Sequence, residues 1–206
     1  MMMTNHAISL IEKRVSANLF DASHRLADAE IERLVQLATR APSAYNLQNW
    51  RFIAVRSSPA KERLRDIAYG QAKVSDASVT FIICGELPDH ATLPKRLMPS
   101  VEAGFMPQRM ISGWQKAVHN QYSDPRIARD EAIRSATLGA ATLIHAAEAL
   151  DLVSGPMVGF DAEALTREFG LGENEVPVML VAVGRAAPGN WPQKPRRPLM
   201  EVLELS

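Results

Sequence analysis

The chain has 206 residues, 47% hydrophobic and 22% charged, which is the composition of an ordinary globular domain. Its 23 basic residues balance its 23 acidic ones, so its overall charge does not suggest nucleic acid or an acidic membrane as a partner. The single cysteine, Cys84, excludes an internal disulfide and favours a reducing compartment. With no secretory leader pattern in the first residues, we expect a cytoplasmic protein.

The first part of the chain alternates predicted helices with polar loops. Apolar spacing predicts helices over 8–14, 28–39 and 59–67, the second capped by Asp28. Residues 51–55 are predicted to form a strand. Residues 79–84 (VTFIIC) form a continuous apolar run, which is typical of a buried central strand, so we interpret Cys84 as an inert core residue.

The segment 86–130 has the least regular pattern and is divided by five prolines. It carries more large apolar side chains than a solvated loop needs: Met98, Phe105, Met106, Met110 and Trp114. Such a segment is often a lid or a contact arm, although a loosely packed surface subdomain is an equal alternative. We therefore expect one domain over 1–206, with 86–130 as a lid-like excursion.

The last third is predicted to contain the central helix of the domain. Residues 135–152 are apolar on nearly every face, which indicates a buried helix with His145 in the core. A turn over 154–161 follows, and its glycines would let backbone amides approach a flat ligand. A helix over 161–169, between Asp161 and Gly170, and a strand over 176–183 come next. The tail, 184–206, ends in a short strand or helix.

These elements amount to three or four strands and about six helices on both sides of a sheet. They predict an α+β fold with three layers. The sequence contains no phosphate-binding loop of the GxxxxGK[ST] type and no GxSxG nucleophile turn. Its five histidines lack ligand-like spacing, so we predict no metal site.

Five segments, in order, resemble the nitroreductase family of flavin-dependent NAD(P)H oxidoreductases, and the resemblance runs from about residue 8 to 202. Residues 14–18 (RVSAN) resemble its RxSxR/K phosphate segment, with Asn18 in place of a basic residue. Residues 42–50 (PSAYNLQNW) resemble PSxxNxQPW, with Asn49 in place of proline. GQAK at 70–73 with DAS at 76–78 resembles the segment facing the flavin, and Gly70 replaces a common Asn. GPMVGFD at 155–161 and KPRRPL at 194–199 complete the set.

The resemblance implies a nitroreductase-like fold with a mostly antiparallel central sheet flanked by helices. It implies FMN as cofactor and NADH or NADPH as donor, and a homodimer in which loop 42–48 serves the other subunit's site while the tail wraps the partner. The acceptor would be a nitroaromatic, a quinone or a similar conjugated small molecule. The flavin would perform the chemistry, so no catalytic residue is assigned.

Particular roles follow from the same resemblance. Arg14, Lys194 and Arg196 would neutralise the flavin phosphate with help from the Ser16 hydroxyl, and Lys73 would lie near the pyrimidine edge of the ring. The lid residues Phe105 and Trp114 are predicted to contact substrate. The predicted cofactor-binding residues are Arg14, Val15, Ser16, Asn18, Pro42, Ser43, Ala44, Asn46, Gln48, Gly70, Gln71, Lys73, Pro156, Met157, Val158, Gly159, Lys194 and Arg196.

Three other functions stay open at this point. GPMxGFD also resembles a branch that reduces small aldehydes such as malonic semialdehyde. The protein could instead bind or dismantle flavin without nicotinamide turnover. The departures at Val15, Asn18, Asn49 and Gly70 leave open a dimeric interaction protein that has lost its ligand.

Overall fold

A four-stranded antiparallel sheet forms the middle layer of the protein, whose computed structural model describes residues 5–206. The strands are Trp50–Val55 (β1), Val79–Glu86 (β2), Val153–Met157 (β3) and Glu175–Gly184 (β4), in the spatial order β1-β2-β4-β3. All three neighbouring pairs are antiparallel. The predicted α+β class with a mostly antiparallel sheet is confirmed.

Helices cover both faces of this sheet, and they have the following bounds. They are His6–Lys13 (α1), Asp28–Ala38 (α2), Ser58–Ile67 (α3), Ala72–Asp76 (α4), Leu93–Glu102 (α5), Met110–Gln121 (α6), Pro125–Ala149 (α7) and Ala162–Phe169 (α8). Short 3-10 turns occur at Ala44–Asn46 and Leu199–Glu201. Among residues 5–206, no helix is long and apolar enough to cross a membrane.

The two central strands, β2 and β4, are buried because their alternating side chains feed two separate cores. Phe81 and Ile83 of β2 point towards α2 and α7, where they join Leu34 and Leu143. Ile82 and Cys84 point the other way, into a core that contains Leu64 of α3, Val74 of α4, Leu165 of α8 and Leu180 of β4. The prediction of a central strand at 79–84 is confirmed, with both faces covered.

The two ends of α8 agree with the prediction, whereas the start of α2 does not. Asp161 Oδ1 accepts hydrogen bonds from the backbone N–H groups of Glu163 and Ala164, and Gly170 ends α8 in the left-handed conformation, as predicted. The prediction that Asp28 caps α2 is wrong. Ala27 is the N-cap, and Asp28 lies in the first turn, where it pairs with Arg56.

Most of the segment 86–130 is helical, although its sequence pattern is the least regular in the chain. Helices α5 and α6 form a hairpin, and α7 begins at Pro125. Pro94 and Pro125 lie in the first turns of their helices, where a missing N–H breaks no intrahelical bond. These two prolines are thus compatible with the helices that they begin, and Pro99 lies inside α5.

Helix α7 has an exposed side in the single chain, contrary to the prediction of complete burial. Its inner face packs on the sheet through small residues, whereas Ile127 and Leu138 are 47% and 40% exposed. His145 is exposed, and its Nδ1 lies 2.8 Å from the Ala141 carbonyl of its own helix. The interpretation of His145 as a core residue is wrong, because it lies on the face that turns away from the sheet.

The predicted turn over 154–161 begins as an edge strand instead. Residues Val153–Met157 pair with β4, and the open side of β3 is covered by the N-terminal segment, since Ala17 N donates to Ser154 O at 2.8 Å. Pro156 is compatible with this position because an edge strand does not need every backbone donor. The turn itself is confined to residues 158–161.

Gly85 allows α7 to lie directly against the end of β2, and it offers a test of this packing. A Cβ at Gly85 would lie 2.3 Å from the Ala132 carbonyl oxygen, whereas one at Gly113 in α6 would meet no atom within 4 Å. We expect Gly85→Ala to lower the free energy of unfolding by about 1–3 kcal/mol through overpacking. Gly113→Ala should raise it by up to about 1 kcal/mol through helix propensity.

Urea denaturation at one fixed protein concentration measures both changes. Equal effects of the two variants would contradict the close α7–β2 contact.

Candidate functional site

Polar and cationic side chains from the two ends of the chain meet beside β3. Arg14 Nη1 lies 3.4 Å from Ser16 Oγ, and Gln193 Nε2 donates to the Arg14 carbonyl at 2.9 Å. Arg196 donates to Gln193 Oε1 at 2.9 Å. Next to Arg14 lies a cavity of about 140 Å³, which is lined by Ser16, Asn18, Trp191, Pro192, Gln193, Lys194 and Arg196.

Asn190 holds the two ends of the chain together. Its Oδ1 accepts from the backbone N–H groups of Asn18 and Leu19, at 2.8 and 3.0 Å. Its Nδ2 donates to the carbonyls of Leu19 and Ala187, at 2.8 and 3.0 Å. Sequence reasoning missed this residue, because no local motif marks an asparagine whose partners lie at the far end of the chain.

Lys73 reaches the same group of side chains from α4. Its Nζ lies 3.3 Å from Asn18 Oδ1, and its Cδ lies near Gly155 of β3. A Cβ at Gly155 would lie 2.4 Å from Ala17 O, so glycine lets the N-terminal segment, β3 and Lys73 approach one another. Burial, and then the nearby Lys194 ammonium, lower the pKa of Lys73 below the ordinary 10.5. We call Arg14, Ser16, Asn18, Lys73, Lys194 and Arg196 the cationic cluster.

The turn after β3 is braced from the α3–α4 loop. Gln71 Nε2 donates to Gly159 O at 2.8 Å and to Ala68 O at 3.0 Å, and Asp161 N donates to Ile67 O at 3.0 Å. The Val158 side chain is exposed, whereas Met157 is buried in the core. The structure thus brings two predicted segments, around Gln71 and around Gly159, into contact.

Loop 42–49 is strained and lies on the helical hairpin. Tyr45, Asn46 and Gln48 all have positive φ, which for residues other than glycine costs about 1–2 kcal/mol each. Ser43 Oγ partly offsets this by accepting from Gln48 N at 2.9 Å, and Leu47 is fully buried among α5 and α6 side chains. None of Pro42, Ser43, Ala44, Asn46 or Gln48 lines the cationic cavity within the described chain.

The remaining predicted site residues have simpler positions. Val15 lies between Arg14 and Ser16, Gly70 takes a φ of +75° before α4, and Pro156 lies in β3. Phe105 is 84% exposed at the tip of the hairpin. Trp114 is partly buried, with its ring edge-to-face with Tyr45 at 5.8 Å. Burial raises the pKa of the Cys84 thiol to about 12, so it carries no thiolate at neutral pH.

Comparison with known proteins finds relatives that match this chain over most of its length. The Nitroreductase family profile matches residues 11–185. YodC of Bacillus subtilis, named as a candidate NAD(P)H nitroreductase, is 30% identical over 201 residues, covering 97% of this chain and 98% of its own. An NADH dehydrogenase of Thermus thermophilus is 34% identical over 174 residues, covering 84% and 83% of the two chains.

Solved structures are similar over nearly the whole chain. The crystal structure of ydfN from Bacillus subtilis, a candidate nitroreductase, has a TM-score of 0.90 at 27% identity and covers 97% of this chain and 98% of its own. A candidate nitroreductase of Exiguobacterium sibiricum, crystallised with FMN, has a TM-score of 0.90 at 24% identity and covers 98% of both chains. At 24% identity, the similarity to the Exiguobacterium sibiricum structure shows a shared fold and no more.

Proposed function

The chain belongs to the nitroreductase family, and on that premise we propose that it is an FMN-dependent oxidoreductase that passes hydride from NADH or NADPH to a nitroaromatic, a quinone or a similar conjugated acceptor. The observation that carries the proposal is the cationic cluster. Four cations from distant parts of the sequence, Arg14, Lys73, Lys194 and Arg196, converge beside β3. Mutual repulsion among these cations destabilises the folded protein, so an interaction protein that binds no ligand would gain nothing by bringing them together.

The cavity suits the phosphate end of FMN. Its lining contains two cations, the Ser16 hydroxyl and two amide side chains, and no carboxylate. A phosphate dianion would form charge-assisted hydrogen bonds with Arg196 and Lys194 and would accept from Ser16. It would also offset the repulsion between Lys73 and Lys194 that lowers the pKa of Lys73.

The rest of the proposed site would bind and orient the ring end of the cofactor. FMN, when bound, supplies the chemistry by accepting a hydride and passing it to the acceptor. Lys73 would place a positive charge near the ring, where it favours the reduced anionic form. The turn at Val158 and Gly159, braced by Gln71, would hold backbone groups against the ring, with Gly155 and Pro156 leading into it.

The strained loop points to a second subunit in the proposed site. Because loop 42–49 does not line its own chain's cationic cavity, we place Pro42, Ser43, Ala44, Asn46 and Gln48 in the partner's site of a homodimer. The exposed apolar residues support this arrangement. They include Ile8 and Ile11 of α1 and Leu199, Met200 and Leu205 of the tail. Each subunit would be one domain with the 86–130 hairpin as its lid.

The phosphate assignment is tested with single arginine variants. We expect Arg14→Ala and Arg196→Ala each to weaken FMN binding by about 1.5–3 kcal/mol, or roughly 10- to 150-fold in Kd, because each removes a charge-assisted contact. Arg126→Ala is the matched control, since this side chain is 90% exposed at the start of α7. Fluorescence titration of the flavin-free protein gives the three constants. Equal FMN affinity in all three variants would contradict the assignment of Arg14 and Arg196 to the phosphate.

The shared site is tested by the mass of the FMN-loaded protein. Analytical ultracentrifugation should give twice the mass of the chain. Leu205→Asp, a change to an 88% exposed tail side chain, should weaken the dimer because it puts a charge into the proposed apolar interface. A monomer with full FMN occupancy would refute the shared site.

The two lid residues are expected to behave differently because their environments differ. Phe105→Ala should change the KM or the ranking of acceptors at unchanged thermal stability, since the ring is 84% exposed. Trp114→Ala should lower the free energy of unfolding by about 1–3 kcal/mol, because its ring packs against Tyr45. Both variants should keep their FMN. Steady-state assays with several acceptors measure the first effect, and an unchanged ranking in Phe105→Ala would exclude that side chain from acceptor selection.

A further inference from the structure

The α5–α6 hairpin grips loop 42–49 from two sides. We propose that Arg96 and Tyr45 form a clamp that makes the hairpin and this loop one mechanical unit, with Arg96 as a positioning residue for the acceptor side of the site. The clamp consists of contacts within this chain. Its consequence for the acceptor rests on the proposed function.

Arg96 provides the α5 side of the clamp. One end of its guanidinium donates to the backbone carbonyl of Leu47, and Nη2 pairs with Glu86 Oε2 at 3.0 Å. The two side chains of this ion pair are 27% and 28% exposed, so solvent screens it less than a surface pair. Glu86 is in turn joined to the loop through its backbone. Its carbonyl accepts from Asn49 Nδ2 at 2.9 Å and its N–H donates to Asn49 O at 3.0 Å.

Tyr45 provides the α6 side. Its hydroxyl donates to Gln121 Oε1 at 2.7 Å, and the Gln121 amide lies 3.3 Å from the Tyr122 hydroxyl. The Tyr45 ring is edge-to-face with Trp114 at 5.8 Å and with Tyr122 at 6.5 Å. Such aromatic pairs are directional, so they fix the orientation of the ring as well as its burial.

The loop between these two contacts depends on external support. Tyr45, Asn46 and Gln48 adopt the left-handed conformation, which the backbone leaves readily when nothing opposes it. Leu47, between them, is fully buried against Leu93 and Leu97 of α5 and Val118 of α6. A displacement of the hairpin must therefore displace Leu47 and, with it, the neighbouring Asn46 and Gln48.

The functional consequence follows from what each part carries. The loop holds the residues assigned to the partner's flavin, and the hairpin carries the exposed Phe105. The clamp would transmit the position of the hairpin to the loop, so that acceptor contacts and flavin contacts move together. The cationic cluster lies outside this unit, and phosphate binding should not depend on it.

Hydrogen exchange of the flavin-free full-length protein tests the clamp directly. In Arg96→Met, amides of residues 43–49 should exchange at least about tenfold faster, the factor that corresponds to one lost charge-assisted hydrogen bond. Tyr45→Phe, which keeps the ring and removes the hydroxyl, should accelerate the same amides to a smaller extent. Arg63→Met is the matched control, since this exposed arginine of α3 pairs with Glu168 of α8, away from the loop. The control should leave residues 43–49 unchanged.

The FMN-loaded protein tests the consequence. Arg96→Met should raise the acceptor KM more than it lowers kcat, and it should weaken FMN binding less than Arg14→Ala does, because the proposed phosphate contacts lie outside the clamp. Arg96→Lys should recover part of the loss because it keeps a charge opposite Glu86. Unchanged exchange at 43–49 in both Arg96→Met and Tyr45→Phe would overturn the clamp, as would equal acceleration in β2 and α7.

If Arg96→Met does not fold, Arg96→Lys and Tyr45→Phe decide the question by the same measurement. A protein that takes up no flavin would refute the proposed function, while the exchange result would still decide the clamp.

Discussion

The hydrogen bonds of Asn190 set the position of nearly everything at the proposed phosphate site. Three bonds from this side chain join the tail to the backbone at 18–19, and a fourth, to Ala187 O, fixes the side chain within the tail. Backbone pairing of residues 19–21 with 185–187 and the bond from Gln193 to the Arg14 carbonyl reinforce this connection, so Arg14 and Arg196 stay near one another although their charges repel. A neutral side chain therefore holds cations close together before any anion is present.

Gly155 of β3 also helps to keep the residues of the proposed phosphate site together. The N-terminal segment approaches β3 so closely that a Cβ at Gly155 would overlap the Ala17 carbonyl. This approach carries Ser16 and Asn18 to the edge of the sheet, and it leaves Lys73 between β3 and the tail. The proposed phosphate site thus lies at a sheet edge, whereas the loop that we assign to the partner's site is strained and packs on helices α5 and α6. The two halves can change independently.

Much of the fold was predictable because it depends on local signals. The strand at 79–84 has an apolar run that requires two covered faces, and α8 has a capping Asp161 and a terminal Gly170. The edge strand β3 escaped prediction because its Gly155 and Pro156 are typical of turns, and only pairing with β4 and the segment at 16–17 stabilises it. The helices of 86–130 are hard to predict because a proline in the first turn of a helix, such as Pro94 or Pro125, has the same sequence signal as a proline that interrupts one.

The candidate site, like the fold, is predictable from the sequence only in part. Read alone, Arg14 and Ser16 could be a solvated surface pair, and only the order of five motifs connected them with Lys194 and Arg196. The sequence could not show that Asn190 joins these segments or that Arg96 reaches the Leu47 carbonyl, since both contacts depend on tertiary structure. Asn49 illustrates the point: in place of a proline it supplies a side-chain donor to Glu86 O, while its own Oδ1 has no hydrogen-bond partner within residues 5–206.

The central claim is that this chain uses bound FMN to move hydride from a nicotinamide to an acceptor, and anaerobic half-reactions test it most directly. FMN-loaded protein is mixed with NADH or NADPH in the absence of oxygen, and the visible absorbance of the flavin is followed. We expect rapid bleaching with at least one of the two donors, and recovery of the oxidised spectrum when a nitroaromatic or a quinone is added. Bleaching no faster than that of free FMN with either donor would contradict it.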